Sequence, residues 1–383
     1  MKKGTIILLF ILCCNISMAQ IEIMEKFDIG KFGVGFKNEW ITDYSRAYKD
    51  SFRSIQLFVW YPSKEKSLKT LQYEEYFSIN DPKGEHINSY HPNKTDSLIQ
   101  KEINSINKAE GFNIKLSNYK ALKTIAQPGA PFLEGKYPLL LFAPGGNSSN
   151  HLNSVICEYL ASHGYIVASF PSFGEVDSLG WPFDQTGINL HIDDMALIIN
   201  HLKRSLRHVN IDKIGLVAWS VGGVSQGVFC MKNLGIDLFV SLDSGLGRIY
   251  GLEMLKESPY FNYNKFSIPY MHLTGKQPEM YQVERSSEFY DSITSVEKYS
   301  LVINPFAHQH FASQLGIIPA LALESKNEVI IDAYITTCRL TLFFANIHLK
   351  NDKNAKQVWP EVIKEYLPKK TNKYKSRYCI KIN

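Results

Sequence analysis

The sequence predicts an α/β protein, a mostly parallel sheet with helices on both faces, and three observations carry that prediction. From Tyr137 onward, short apolar runs alternate with helically spaced stretches, the order expected when parallel strands are joined by helical crossovers. Runs such as Leu139-Leu140-Leu141-Phe142 are continuously apolar rather than alternating, as strands covered on both faces should be. The junctions between them hold Gly, Pro and Asn, for example Pro144-Gly145-Gly146-Asn147, which punctuate strands and helices.

Taken in order, Ser54 to Trp60 alternates apolar and polar residues and reads as a strand stopped by Pro62. Residues 63–135 are polar and charged, with weak helical spacing over Ser97–Ile106 and Asn118–Ile125. This stretch reads as an insertion or cap over the core, ended by Pro128-Gly129-Ala130-Pro131. Leu139–Phe142 is a strand, Ser154–Ser162 a helix closed by His163-Gly164, and Tyr165–Phe170 the next strand. Asn189–Leu206 is an amphipathic helix with Ile192, Met195, Leu197, Ile198 and Leu202 on its apolar side. Asp193 and Asp194 read as helix-starting carboxylates, which suit the positive end of the macrodipole. Ile214–Trp219 is a strand, Val221–Lys232 a helix, and Leu238–Leu242, Tyr270–Leu273 and Tyr299–Ile303 are strands. A long helix over Glu328–Leu349 closes the set.

The ends are read separately. Lys2 and Lys3, the apolar run Thr5–Ile16, and Ser17-Met18-Ala19 before Gln20 follow the plan of a secretory signal peptide. Residues 1–19 are therefore expected to be a signal and 20–383 one domain, exported to a periplasm or the medium. No later segment is read as an integral membrane span. The formal charge of +5 falls to about +3 without Lys2 and Lys3, a mild balance that argues against a nucleic-acid partner. The tail carries Lys369, Lys370, Lys373, Lys375 and Arg377, read as a solvated end. Cys157, Cys230, Cys338 and Cys379 remain after the signal, and Cys157 and Cys230, in apolar helical stretches, are expected to be buried free thiols. No metal-ligand spacing appears, and no cofactor is implied.

Ala218-Trp219-Ser220-Val221-Gly222-Gly223 is the centre of the chemical reading. It lies between a buried strand and a helix, where small residues on both sides of a serine let a tight turn close. Such a nucleophile elbow lifts Oγ to the carboxyl edge of the sheet. A serine hydroxyl needs a base to take its proton, and the fold puts that histidine after the last strand, where His308 and His310 compete. The acid that orients the histidine is expected at Asp243, directly after the strand ending at Leu242. After the next strand the chain reads Thr274 to Glu279 without an aspartate. An oxyanion on the substrate would rest on backbone amides, one from Val221 and one from Gly146 in the loop after Phe142. His151, His163, His191 and His208 are read as structural, and Trp181-Pro182-Phe183 as a lining of the acyl pocket.

These motifs resemble the platelet-activating factor acetylhydrolase branch of the α/β-hydrolases, and more loosely the dienelactone-hydrolase-like group. The similar residues are Trp60-Tyr61-Pro62, Tyr137–Phe142, Leu160–Ala168, Ala218–Gly223, Ser241-Leu242-Asp243 and His308-Gln309-His310-Phe311-Ala312. In the family's H-Q-x-F-A run the first histidine is catalytic, so the resemblance selects His308. Pro144-Gly145 stands where the family has His-Gly, and Ala218 where the elbow has glycine. The resemblance implies an α/β-hydrolase fold and a metal-independent ester hydrolase acting on a small-molecule, lipid or glycan ester. A glycan deacetylase or peptidase on the same residues, or an inactive hydrolase-fold binding protein, are the alternatives.

Overall fold

The computed structural model describes residues 20–367 apart from 49–50, 67, 80–91, 175–178, 233–234, 277–284 and 296. The signal segment, the basic tail, Cys379 and Glu279 lie outside the described residues.

The described residues form eleven strands: β1 (Ile21–Glu22), β2 (Gly33–Tyr48), β3 (Ser51–Ser63), β4 (Leu122–Lys123), β5 (Ala126–Pro128), β6 (Tyr137–Ala143), β7 (Ile166–Ser169), β8 (Val209–Trp219), β9 (Leu238–Leu242), β10 (Tyr270–Gly275) and β11 (Lys298–Ile303). Nine of them make one sheet in the order β11-β10-β9-β8-β6-β7-β3-β2-β5. From β7 to β11 every pairing is parallel, while β2 and β3 form an antiparallel hairpin set against β7. The helices are α1 (Glu75–Ile79), α2 (Pro92–Glu110), α3 (Leu116–Lys120), α4 (Ser154–Ser162), α5 (Gln185–Ser205), α6 (Gly222–Met231), α7 (Ile249–Lys256), α8 (Glu288–Ser292), α9 (Ile317–Ala322), α10 (Glu328–Leu349) and α11 (Lys353–Ile363).

Alternation along the strands builds two cores. Leu140, Phe142, Val217, Val240 and Leu301 face a layer that includes α4 and α10. Leu139, Leu141, Ile214, Leu216 and Phe239 face the layer of α5, α6 and α7. Successive side chains of a strand point to opposite faces, so a strand apolar at every position holds both layers at once.

Several expectations need correction. Pro62 does not end its strand: β3 runs to Ser63, with Pro62 opposite Val34. Proline lacks an amide donor but keeps its carbonyl, and that carbonyl accepts from Leu133 N at 2.9 Å. The partner strand β2 has no counterpart in the sequence reading. Asn118–Ile125 is not one helix; α3 stops at Lys120 and β4 follows. Asp193 and Asp194 lie in the middle of α5, whose N-cap is Asp184, accepting from Thr186 N and Gly187 N. Asp194 is fully buried and pairs with Arg53 and Arg46, so it joins the helix to the hairpin rather than starting the helix. By length and composition α10 could span a membrane, which the sequence reading did not assign to any later segment. In the fold most of it is buried against the sheet, and it serves as the core helix.

Candidate active site

The β8–α6 junction is as tight as its small residues allow. Ser220 has φ of 57°, a left-handed conformation that non-glycine residues seldom adopt outside strained functional turns. Its carbonyl accepts from Gly223 N at 3.2 Å and Gly245 N at 3.0 Å, which holds the turn from both sides. A methyl group on Gly222 would lie 2.4 Å from the carbonyl oxygen of Pro144. Only glycine lets the start of α6 approach the end of β6 so closely.

Around this turn the three residues named from sequence converge. His308 Nε2 lies 3.0 Å from Ser220 Oγ, and His308 Nδ1 donates to Asp243 Oδ2 at 2.8 Å. His308 begins a short 3-10 turn, His308–Phe311, after β11. Its ring stacks on Trp219 at 5.0 Å between centroids, while Trp219 Nε1 donates to the His308 carbonyl at 3.0 Å. The indole beside the serine therefore fixes the plane of the imidazole. His310 takes no part: its Nδ1 accepts from Ala307 N at 3.0 Å, which pins the turn, and burial lowers its pKa.

Asp243 follows β9 with φ of 41° and is 3% exposed. Its carboxylate accepts from Thr274 Oγ1 at 2.8 Å and from Arg248 Nη2 at 2.5 Å as well as from His308. Burial alone would raise its pKa. The hydrogen bond from His308 and the Arg248 charge outweigh that and hold the carboxyl well below the usual carboxylate range. Arg248 and Thr274 were not singled out in the sequence. Thr274 is the last residue but one of β10, the strand whose end is the alternative position for the acid, and here it supplies a hydroxyl instead. Arg285 Nη1 in turn donates to Thr274 Oγ1 at 2.8 Å. The usual helix-cap use of such an aspartate falls to the next residue, since Ser244 caps the following turn.

On the other side of Ser220 the surroundings are backbone. A methyl group on Gly145 would lie 3.0 Å from Ser220 Cβ, and one on Gly146 3.3 Å from Val221 Cγ1. The Gly145-Gly146 loop thus lies against the elbow, with the Gly146 and Val221 residues adjacent. Phe183 is exposed and its ring lies over Gly146. Trp181 is buried and packs edge-on against Phe183. Of the Trp181–Phe183 segment, it is Phe183 that reaches the site.

The four histidines read from sequence as structural are accounted for by their surroundings. His151 and His191 are buried and burial depresses both, to about 3 and about 4. His163 packs on Tyr159 and His208 stacks on Phe132. Cys157, Cys230 and Cys338 are buried free thiols.

A cleft of about 390 Å³ opens on the His308 side of the serine, lined in part by Arg248, Tyr250 and His308 and in part by Glu102, Ile106 and Glu110 of α2. The 63–135 stretch therefore supplies one wall of the site. It is tied to the histidine turn by Gln309 Nε2, which donates to Glu110 Oε1 at 2.8 Å.

Two family models match parts of this chain. Platelet-activating factor acetylhydrolase, isoform II, matches residues 30–172, and Chlorophyllase matches residues 106–249. The second range includes Ser220 and Asp243; neither reaches His308. No curated protein matches the chain in sequence. Among solved structures, a ferulic acid esterase from Streptomyces cinnamoneus is similar with a TM-score of 0.61 at 18% identity, covering 87% of this chain and 94% of that one. The likeness shows the α/β-hydrolase fold.

Proposed function

We propose that this chain, an ester hydrolase of the α/β-hydrolase fold, is a secreted serine enzyme that works through Ser220, His308 and Asp243. The observation that carries the reading is the pair of distances made by one imidazole, 3.0 Å to the Ser220 hydroxyl and 2.8 Å to the Asp243 carboxylate. With Nδ1–H committed to the aspartate, Nε2 is left as the acceptor for the serine proton.

In this mechanism Ser220 Oγ bonds to the ester carbonyl carbon while His308 Nε2 takes its proton. The carbonyl electrons move onto oxygen, which rests on the amides of Val221 and Gly146. These are fixed backbone donors that need no rearrangement as charge develops. The tetrahedral intermediate collapses, the bond to the alcohol oxygen breaks, and imidazolium gives its proton to that oxygen. Water then repeats the sequence on the acyl-enzyme and frees the acid. Asp243 stays ionised throughout, held so by Arg248 and Thr274 as well as by His308, and so stabilises the imidazolium. Export rests on the N-terminal pattern, and N-terminal sequencing of the exported protein should begin at Gln20.

The test is hydrolysis of 4-nitrophenyl esters of increasing acyl length by residues 20–383, beside Ser220→Ala. Activity should appear and fall by about three orders of magnitude or more in the variant. Turnover that survives the substitution would mean that another group attacks the ester.

A further inference from the structure

The chemistry assigns the two sides of Ser220 to the two halves of an ester. The group that protonates the departing alcohol is His308, so the alcohol must lie on the His308 side. The acyl oxygen must lie on the opposite side, by the Gly146 and Val221 amides. The cleft opens on the His308 side, against α2, and its volume falls in the range of ~300–1,000 Å³ usual for small-molecule sites.

The α2 wall has a definite character. Glu102, Ser105, Ile106, Ala109 and Glu110 all line the cleft, at the three- and four-residue spacing that keeps side chains on one helix face. The two carboxylates stand eight residues apart, roughly 12 Å along the axis, with a hydroxyl and small or apolar side chains between them. Gln309 engages one oxygen of Glu110, and a carboxylate offers about four acceptor positions, so the group can still accept. Arg248, the cation among the described residues lining the cleft, is engaged by Asp243. Among the described residues the wall therefore offers acceptors at both ends and no uncommitted cation for a phosphate or carboxylate.

We propose that the alcohol half of the substrate lies along α2 and is a neutral polyhydroxylated group, a sugar or polyol, whose hydroxyls donate to Glu102 and Glu110. The proposal rests on the serine-hydrolase reading and adds the leaving group to it. An anionic alcohol would meet two carboxylates. Glu110 accepts from Gln309 and Glu102 from Gln314, and a plain alkyl alcohol would cover their remaining acceptor positions without a donor, the arrangement that discriminates most strongly against a missing hydroxyl. A cationic alcohol would suit the charges, but Tyr250 is the one aromatic ring, apart from the His308 imidazole, among the described lining residues, short of the cage that such groups favour.

The experiment holds the acyl group constant as acetyl and varies the alcohol: a mono-acetylated methyl glucoside, ethyl acetate, acetylcholine and an acetylated glycerol phosphate, with 4-nitrophenyl acetate as reference. The sugar ester should show the highest kcat/KM of the first four. Replacing both acids, Glu102→Gln with Glu110→Gln, should lower that value by roughly tenfold or more, the worth of lost charge-assisted hydrogen bonds. Turnover of 4-nitrophenyl acetate should stay within about twofold, since it makes no such bonds. Ala109→Trp, at an exposed position of α2, should block the sugar ester while sparing the reference. A sugar ester no better than ethyl acetate would overturn the proposal. So would a preference for acetylcholine or the phosphate ester, or an equal loss on sugar and reference substrates in both variants. Reference turnover abolished by Ser220→Ala establishes the hydrolase separately, so failure of the alcohol series counts against the α2 assignment alone.

Discussion

Asp243 and Glu158 are both almost wholly buried carboxyl groups, and their surroundings set them to opposite ends of the titration range. Asp243 lies among Arg248, His308 and Thr274, so its charge is favoured despite burial. Glu158, in α4, accepts from Tyr76 Oη at 2.9 Å and from Ile125 N at 2.9 Å, and Trp60 Nε1 donates to the same phenol at 2.8 Å. Those bonds are too weak to offset desolvation, and burial pushes Glu158 up to about 7. The difference teaches that burial alone does not make a carboxyl a reactive group. A cation within reach decides whether it can serve as a permanent anion, and only Asp243 has one beside a histidine.

The contrast can be broken at either end. Asp243→Asn should cut kcat by about 10³–10⁴-fold, because the wrong imidazole tautomer would face Ser220. Glu158→Gln should leave kcat within a few-fold. Equal losses in the two variants would mean that Glu158 also acts in the reaction.

The next largest effect is on stability as a function of pH. Glu158 has a folded-state pKa above its ordinary 4.5. Its contribution is therefore complete below about pH 4.5 and is lost as pH rises through about 7, amounting to roughly 3 kcal/mol. Asp243 has the opposite sign: its contribution is present above about pH 4 and fades as pH falls below that. Buried histidines also titrate in the acid range, so the informative quantity is wild type minus Glu158→Gln. That difference should move against wild type between about pH 4.5 and 8 in denaturant titrations and then level off. A flat difference would show that Glu158 is ionised in the folded protein.

Smaller effects follow. Tyr76→Phe removes the phenol shared by Trp60 and Glu158, leaving both without that partner, and should cost about 1–3 kcal/mol of stability with turnover per folded molecule unchanged. Thr274→Val takes one of the hydrogen bonds from Asp243 and should lower kcat by a few-fold to about tenfold, with KM nearly constant. A change confined to KM would mean that Thr274 faces substrate rather than orienting the acid.

How much of this was legible in the sequence depends on how local the determinant is. The elbow could be read from the six adjacent residues Ala218–Gly223 because the turn needs small neighbours on both sides of Ser220. The long helix Glu328–Leu349 was legible to the residue because a single apolar stretch begins after Asn327, which caps it through its side chain. Strand β2 was missed because it is paired through a hairpin and carries Lys37, Asn38, Glu39 and Asp43 among its apolar residues. Asp194 was misplaced because its partners Arg46 and Arg53 are some 140 residues away. Arg248 and Thr274 are much nearer to Asp243, 5 and 31 residues away, and were hidden because they meet its carboxylate only where β9 and β10 end side by side. His308 was separated from His310 by resemblance alone, since both sit in one turn and composition does not tell them apart.

The contact of Gly222 with the end of β6 has a further consequence. Because no side chain stands between the Pro144 carbonyl and the start of α6, the Ser220 hydroxyl and the glycine loop share one rigid seat. The α2 wall is tied to the histidine turn by the bond from Gln309 to Glu110. A protein divided in this way can change what it selects without retuning how it reacts. Grafting or randomising the exposed face of α2 is thus the place to begin if the enzyme is to be given a new taste in alcohols, with its clockwork left alone.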